Sequence, residues 1–131
     1  MDKLIDALAD NVGITIDFTD LCDFINSTNQ TITKLSIRTY MKIIKNYFLL
    51  NQIQSLNIKK MKNAYSPVKY YFTDLGMRNI RSRFDISDKS RLIENMIYNE
   101  LRTRDYEVST GFFSQHVSYP DRRIKRKHHD I

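Results

Sequence analysis

The sequence predicts an α+β chain: three short helices, a two-stranded β-hairpin, then a long helix leading into a further strand. Three observations carry that prediction. Ile37, Tyr40, Met41, Ile44, Tyr47 and Phe48 recur at helical spacing and form an inward stripe. Ile53, Leu56 and Ile58 alternate in part, and Lys69-Tyr-Tyr-Phe-Thr is a run rich in aromatic side chains, which suits a pair of strands. From about Asp88 to Arg104, Leu92, Ile93, Met96, Ile97 and Leu101 fill one apolar arc of roughly 180°.

Taken in order, Leu4, Ile5 and Leu8, with Val12 one turn on, predict a first amphipathic helix that stops near Gly13. Asp17 is placed to cap a second helix whose buried side is Phe18, Leu21, Cys22 and Ile25. Ser27 to Thr31 is a polar connection, after which Thr33 or Ser36 starts the third helix. Besides its apolar stripe, that helix carries Arg38, Lys42 and Lys45 on another face, with Lys34 just before it. Lys59 to Pro67 reads as a basic loop between the two strands. Three helices followed by such a hairpin make a winged helix over residues 1–73, with the lysine-rich loop as wing and the third helix in the recognition position. Asp74 caps a short turn through Met77 and Asn79, and Asp88 or Ser90 caps the long helix. Tyr106 to Phe113 is one strand, and the tail from Asp121 to Ile131 is basic and without a core pattern.

The 131 residues suffice for one ordinary domain or two small ones, and 41% hydrophobic with 27% charged residues is a globular balance. The formal charge of +6 is unevenly spread: residues 1–33 are net −5 and residues 34–77 net +7. A basic central block implies an anionic partner or a solvated face. Cys22 is the sole cysteine, so no intrachain disulfide forms, and its apolar neighbours make it a small core residue in a reducing compartment. The acidic, interrupted N-terminus is no signal peptide, and no run reaches the ~18 apolar residues of a membrane span. The expected location is cytoplasmic, away from the membrane.

Two phrases carry a resemblance. Lys69–Asn79 (KYYFTDLGMRN) and Leu92–Val108 (LIENMIYNELRTRDYEV) resemble the C-terminal region of a prokaryotic family of AAA-type ATPases. In that family a P-loop ATPase domain precedes a winged helix and a C-terminal domain of unknown function with a restriction-endonuclease-like fold. The resemblance implies that residues 74–131 are the start of that last domain, an incomplete α/β segment, and that the chain is a fragment or shortened relative of the whole. Asp105 stands where the family often has glycine, so the helix stop is expected to be less relaxed.

The candidate chemistry follows from these residues. No G-x-x-x-x-G-K-[ST] stretch occurs, and Gly13, Gly76 and Gly111 are the only glycines, so the phosphate cradle of a P-loop ATPase is not built by this chain. A nuclease-like site needs an acid on the opening helix plus acids and a lysine on following strands. Glu100, set near the middle of the apolar arc, or Glu94 matches only the first of these, and His129-Asp130-Ile131 reads as the lead-in to the missing strand. A buried Glu100 is alternatively a structural pair with an arginine or with backbone N–H groups. Cys22, His116, His128 and His129 lack metal-ligand spacing, so neither a metal nor a cofactor is expected. The expected role is therefore non-catalytic, an interaction module, with sequence-nonspecific DNA binding as the alternative. For DNA, Lys34, Arg38, Lys42, Lys45, Lys59, Lys60 and Lys62 would meet phosphates, while Thr39 and Asn46 would reach base edges. Tyr70, Tyr71 and Phe72 read as strand packing in preference to a base-stacking platform. If later strands are missing, Ile93, Met96, Ile97, Leu101, Val108 and Phe112 should be less buried than their pattern demands, or covered by a protein partner or a second copy.

Overall fold

A computed structural model describes residues 1–57, 62–85, 87–112 and 124–126, with side chains over 1–54, 68–85 and 87–110. It is an α+β structure. The first helix, α1 (Asp2–Asp10), is followed by a two-residue strand, β1 (Thr15–Ile16), then by α2 (Phe18–Asn26) and α3 (Lys34–Asn46). A hairpin of β2 (Leu50–Asn57) and β3 (Lys62–Phe72) comes next. After it stand α4 (Leu75–Arg81), α5 (Lys89–Thr103) and three short strands, β4 (Tyr106–Val108), β5 (Thr110–Phe112) and β6 (Ile124–Arg126).

The helix starts follow from their caps. Asp17 accepts from the N–H of Thr19 and Asp20, while Asp20 answers by accepting from the Asp17 N–H, a reciprocal box that starts α2. Thr33, Asp74 and Asp88 cap α3, α4 and α5 from one side only, each side chain accepting from backbone N–H in the first turn. Gly13 ends the α1 turn with φ +71°, a left-handed backbone that glycine adopts without strain, and its N–H reaches the Tyr70 carbonyl at 3.1 Å. The chain is thereby turned onto the sheet edge, where Thr15 and Ile16 pair with Lys69 and Val68. That strand, two residues long, is too short to leave an alternation in the sequence.

The sheet order is β1-β3-β2-β5, antiparallel except for the parallel β2–β5 contact, and β4 and β6 form a separate antiparallel pair. Under it lies a core of α1, α2 and α3 side chains (Leu4, Leu8, Leu21, Ile25, Ile37 and Ile44 among them) against Leu50, Ile53 and Tyr70 to Phe72. All three aromatics of that run are buried, as packing requires. Tyr70 Oη has no hydrogen-bond partner among the described residues, and burial pushes its hydroxyl pKa up to about 12.

Several expectations are corrected. Tyr47 and Phe48 do not continue the α3 stripe inward but are 76% and 80% exposed. The helix has already ended at Asn46, and Phe48, at φ +57°, turns the chain toward β2. The basic loop expected over residues 59–67 is largely strand, since β3 starts at Lys62. The ladder shifts register between Gln54 and Leu56, and Pro67, which has no N–H to offer a ladder, falls opposite that irregularity. Tyr106 to Phe113 is not one strand: it breaks at Ser109, β4 pairing with β6 and β5 with β2. Within the basic tail, Ile124–Arg126 forms β6, and the rest of the tail lies outside the described residues.

The largest correction concerns α5. Its bounds match the expectation, but its buried residues are Asn95 and Tyr98, on the side of the helix roughly 180° from the apolar arc. Asn95 is 0% exposed. Its Nδ2 donates to the Phe72 carbonyl and its Oδ1 accepts from the Phe72 N–H, both at 2.8 Å. Asn99 Nδ2 adds bonds to the carbonyls of Phe72 (3.0 Å) and Thr73 (3.1 Å), and Tyr98 stacks on Tyr71 with centroids 4.8 Å apart. The end of β3 thus finds in α5 the partner that another strand would have supplied. Ile93, Met96 and Ile97 are left 51%, 54% and 39% exposed. Their exposure agrees with the expectation of reduced burial, Leu101 and Val108 are half-buried, and the Phe112 side chain lies outside the described residues.

Helix α4 ties α5's neighbourhood to the N-terminus, across the expected boundary at residue 73. The buried Arg78 donates from Nε to the Ala9 carbonyl (3.0 Å), at the open end of α1, and from Nη1 to the Asp85 carbonyl (2.8 Å). Burial lowers its pKa, and the nearby carboxylates of Asp10 and Asp85 work the other way. Arg81 pairs with Asp6 at 2.9 Å and Asp2 at 3.1 Å.

Two measurements check this. Asn95→Ala should lower unfolding free energy by about 2–3 kcal/mol, since it strands the buried Phe72 N–H and removes one of the two bonds to the Phe72 carbonyl, whereas Met96→Ala should cost well under about 1 kcal/mol; urea titration of both variants decides whether α5 is held by its amide or by its apolar arc. In acid, the N-cap of α2 should weaken. The Asp20 N–H bond holds the Asp17 carboxylate below its usual 3.8, so its stabilisation is full above that value and fades as pH falls through it. A plot of melting temperature against pH should therefore drop less steeply below pH 4 in Asp17→Asn than in the parent (about one carboxylate's contribution).

Candidate functional site

The two acids singled out on α5 have different environments. Glu100 is not buried: its side chain is on the exposed side and binds Arg104 Nε at 2.7 Å, one turn along the same helix. That surface pair contributes little. Glu94 lies instead on the docked side, where it accepts from Lys69 Nζ at 3.0 Å and from the Tyr71 hydroxyl. Both partners come from β3, and Gly13 approaches the same carboxylate, so α1's turn, the sheet and α5 converge there. The nuclease-like reading needs further acids beside the helix acid. Here the neighbours of Glu94 are a lysine and a tyrosine, and among the described residues no group of three His, Cys, Asp or Glu is placed to hold a cation. His116, His128 and His129 lie outside the described residues. Cys22 is buried among core side chains.

The basic face is carried by α3. Between Asp23 and Asp74 the sequence has no acidic residue at all, so every charge on α3 is positive. Lys34, Arg38, Lys42 and Lys45 fall within roughly 80° of one another around the axis and are exposed. Two of them are engaged within the chain: Lys45 Nζ donates to Gln52 Oε1 at 2.7 Å, and the Arg38 guanidinium stands 6.0 Å from the Phe18 ring centroid. Thr39 is exposed, its hydroxyl donating back to the Leu35 carbonyl at 3.1 Å, and Asn46 is exposed at the helix end. Lys59 and Lys60 lie outside the described residues, and Lys62 opens β3 with its side chain outside them.

Sequence reasoning did not single out two features. An open groove of about 750 Å³ runs beside the outward side of α5, lined by Met96, Ile97, Leu101, Leu75 and Tyr106. Leu35 and Ile43, one on each side of Thr39, are exposed on α3 itself. Of the first, Met96, Ile97 and Leu101 were expected to be under-buried, but the groove that they form with Leu75 and Tyr106 depends on which way α5 faces. The second was available from the same angular count that located the lysines.

No family model and no solved structure matches the chain. It is similar to an uncharacterized protein of Haemophilus influenzae, 25% identical over 104 residues, which are 79% of this chain. Those residues are 26% of the relative, so the chain spans about a quarter of the length of the protein it matches. No helix among the described residues is long and apolar enough to cross a membrane.

The two glutamates should separate on substitution. Glu94→Ala, which leaves Lys69 half-buried without its carboxylate, should cost about 1–3 kcal/mol, and Glu100→Ala less than about 0.5 kcal/mol. Guanidinium unfolding of the pair checks it, and equal losses would contradict the assignment of Glu94 as the structural acid.

Proposed function

We propose that the chain acts as a non-catalytic interaction module whose first 73 residues are a winged helix. The order of elements supports the fold reading: a short strand between the first two helices, a hairpin after the third, and a sheet ordered β1-β3-β2. The observation that carries the functional reading is the outward apolar arc of α5 (Ile93, Met96 and Ile97) beside an open groove. Apolar surface of this kind marks an interaction site when it is contiguous. The only carboxylate held within the fold near it, Glu94 among the described α5 residues, is engaged by Lys69 and Tyr71, which suits support of the structure better than turnover. The ATPase context implied by Lys69–Asn79 and Leu92–Val108 belongs to the same proposal: a module carried within a larger polypeptide, to which a relative about four times longer than the matched stretch is well suited.

A second reading has its own observation. The acid-free surface of α3, with Lys34, Arg38 and Lys42 exposed, is suited to sequence-nonspecific contact with DNA phosphates.

The readings are separated by sedimentation equilibrium and a mobility-shift assay on the full chain. Under the interaction reading the chain self-associates or binds an environment-sensitive apolar dye, Met96→Lys with Ile97→Lys abolishes this without altering the melt, and random-sequence duplex is not retarded at low salt. Retardation that falls steeply with salt and is lost on neutralising Arg38, Lys42 and Lys45 favours the DNA reading. Identical behaviour of parent and Met96→Lys/Ile97→Lys chains would remove α5 as the interaction face.

A further inference from the structure

The exposed side of α3 has two edges, and they ask for two different things from one partner. Around the axis, the cationic edge (Lys34, Lys45, Arg38, Lys42) gives way to Leu35 and Thr39 and then to Ile43 and Tyr47, spread over roughly 120° beyond it. Leu35 is 73% and Tyr47 76% exposed, and Ile43 is exposed as well. The buried side, Ile37, Met41 and Ile44, is fully used by the core, so the apolar edge is surplus to folding.

The cationic edge is used by folding only in part, through the Lys45–Gln52 bond and the Arg38–Phe18 contact. Lys34 stands in the first turn, where the helix dipole disfavours a cation and α3 itself has no acidic residue to offset it; the carboxylate that interacts with it is Asp17, already engaged as the cap of α2. The nearest acidic side chains in sequence are Asp23 and Asp74, and Asp74 is occupied as the cap of α4. Since α3 itself offers these cations no carboxylate, a surface that complements them would be anionic and would come from outside the helix.

We infer that α3 docks an acidic amphipathic protein segment, a helix whose carboxylates meet Lys34, Arg38 and Lys42 and whose apolar ridge packs along Leu35, Ile43 and Tyr47. A nucleic-acid backbone would satisfy the cations, but it offers nothing to Leu35 and Ile43, which would be left in water or against phosphate. A second copy of the chain is a weaker fit despite its acidic first 33 residues. Asp2 and Asp6 are already paired with Arg81, and Asp17 and Asp20 are consumed by their capping box. A ridge-to-ridge contact between two helices uses both edges at once. The inference rests on the interaction-module reading but concerns a different face from the α5 groove, so the two fail independently.

The test is fluorescence anisotropy with the intact chain and three labelled probes. These are an acidic amphipathic helical peptide with leucine on one side and glutamate on the other, the same peptide with each leucine replaced by serine, and a random-sequence DNA duplex. The amphipathic peptide should bind at least about ten-fold more tightly than its serine counterpart. Ile43→Ser with Tyr47→Ser should remove about that advantage while leaving a salt-sensitive residue of binding, and Lys42→Glu should weaken both peptides. All three positions are exposed, and unchanged melting curves would show that folding is intact. Equal binding of the two peptides, or indifference to Ile43→Ser and Tyr47→Ser, overturns the inference. Binding of the duplex in preference to either peptide overturns it in favour of the DNA reading, whatever the α5 variants show.

Discussion

The architecture depends on the bond pair between Asn95 and the backbone of Phe72. A strand end buried against a helix must place its N–H and C=O somewhere, and a helix backbone has none to spare. A side-chain amide holds a donating NH2 and an accepting oxygen side by side on a single rigid plane, so one asparagine can stand in for a neighbouring strand residue. Once Asn95 is committed, the rotation of α5 is set. Tyr98 then falls on Tyr71, Asn99 on Phe72 and Thr73, and Glu94 on Lys69 and Tyr71.

That commitment has a consequence on the other side of the helix. Turning Asn95 inward turns Met96 and Ile97 outward, and the outward side borders the groove with Leu75 and Tyr106. Exposing apolar area is unfavourable by about 25 cal/mol per Å². Leaving a buried Phe72 N–H and C=O unpaired costs about 1–3 kcal/mol each, which offsets much of it. The polar contact sets the orientation, and the apolar arc is left for contact with something else. Helix α3 is arranged differently: Ile37, Met41 and Ile44 of its apolar stripe are buried, and its outer side carries cations beside an exposed apolar edge.

Much of the fold was legible because it is local. The caps Asp17, Thr33, Asp74 and Asp88, the left-handed Gly13, and the stripe Ile37, Met41 and Ile44 each announce themselves within a few residues. The basic side of α3 was readable for the same reason. Less legible were features that need a distant partner: β1, which exists only because Val68 and Lys69 lie beside it, and the split of 106–112 between two sheets. Nothing local marks Arg78 for burial, yet it is buried, because its partner, the Ala9 carbonyl, lies 69 positions away in the chain.

By itself, then, the sequence determined the helices, where most of them begin, the hairpin that follows α3, and that α3 carries only positive charge, all consequences of periodicity, capping and composition. Only the tertiary structure decided which side of α5 faces the sheet, and with it that Glu94 and not Glu100 is the engaged acid. The physical reason is that hydrophobic periodicity ranks faces by transfer free energy alone. It cannot register that an unpaired strand end is waiting, or that asparagine at one position of the polar side fits it.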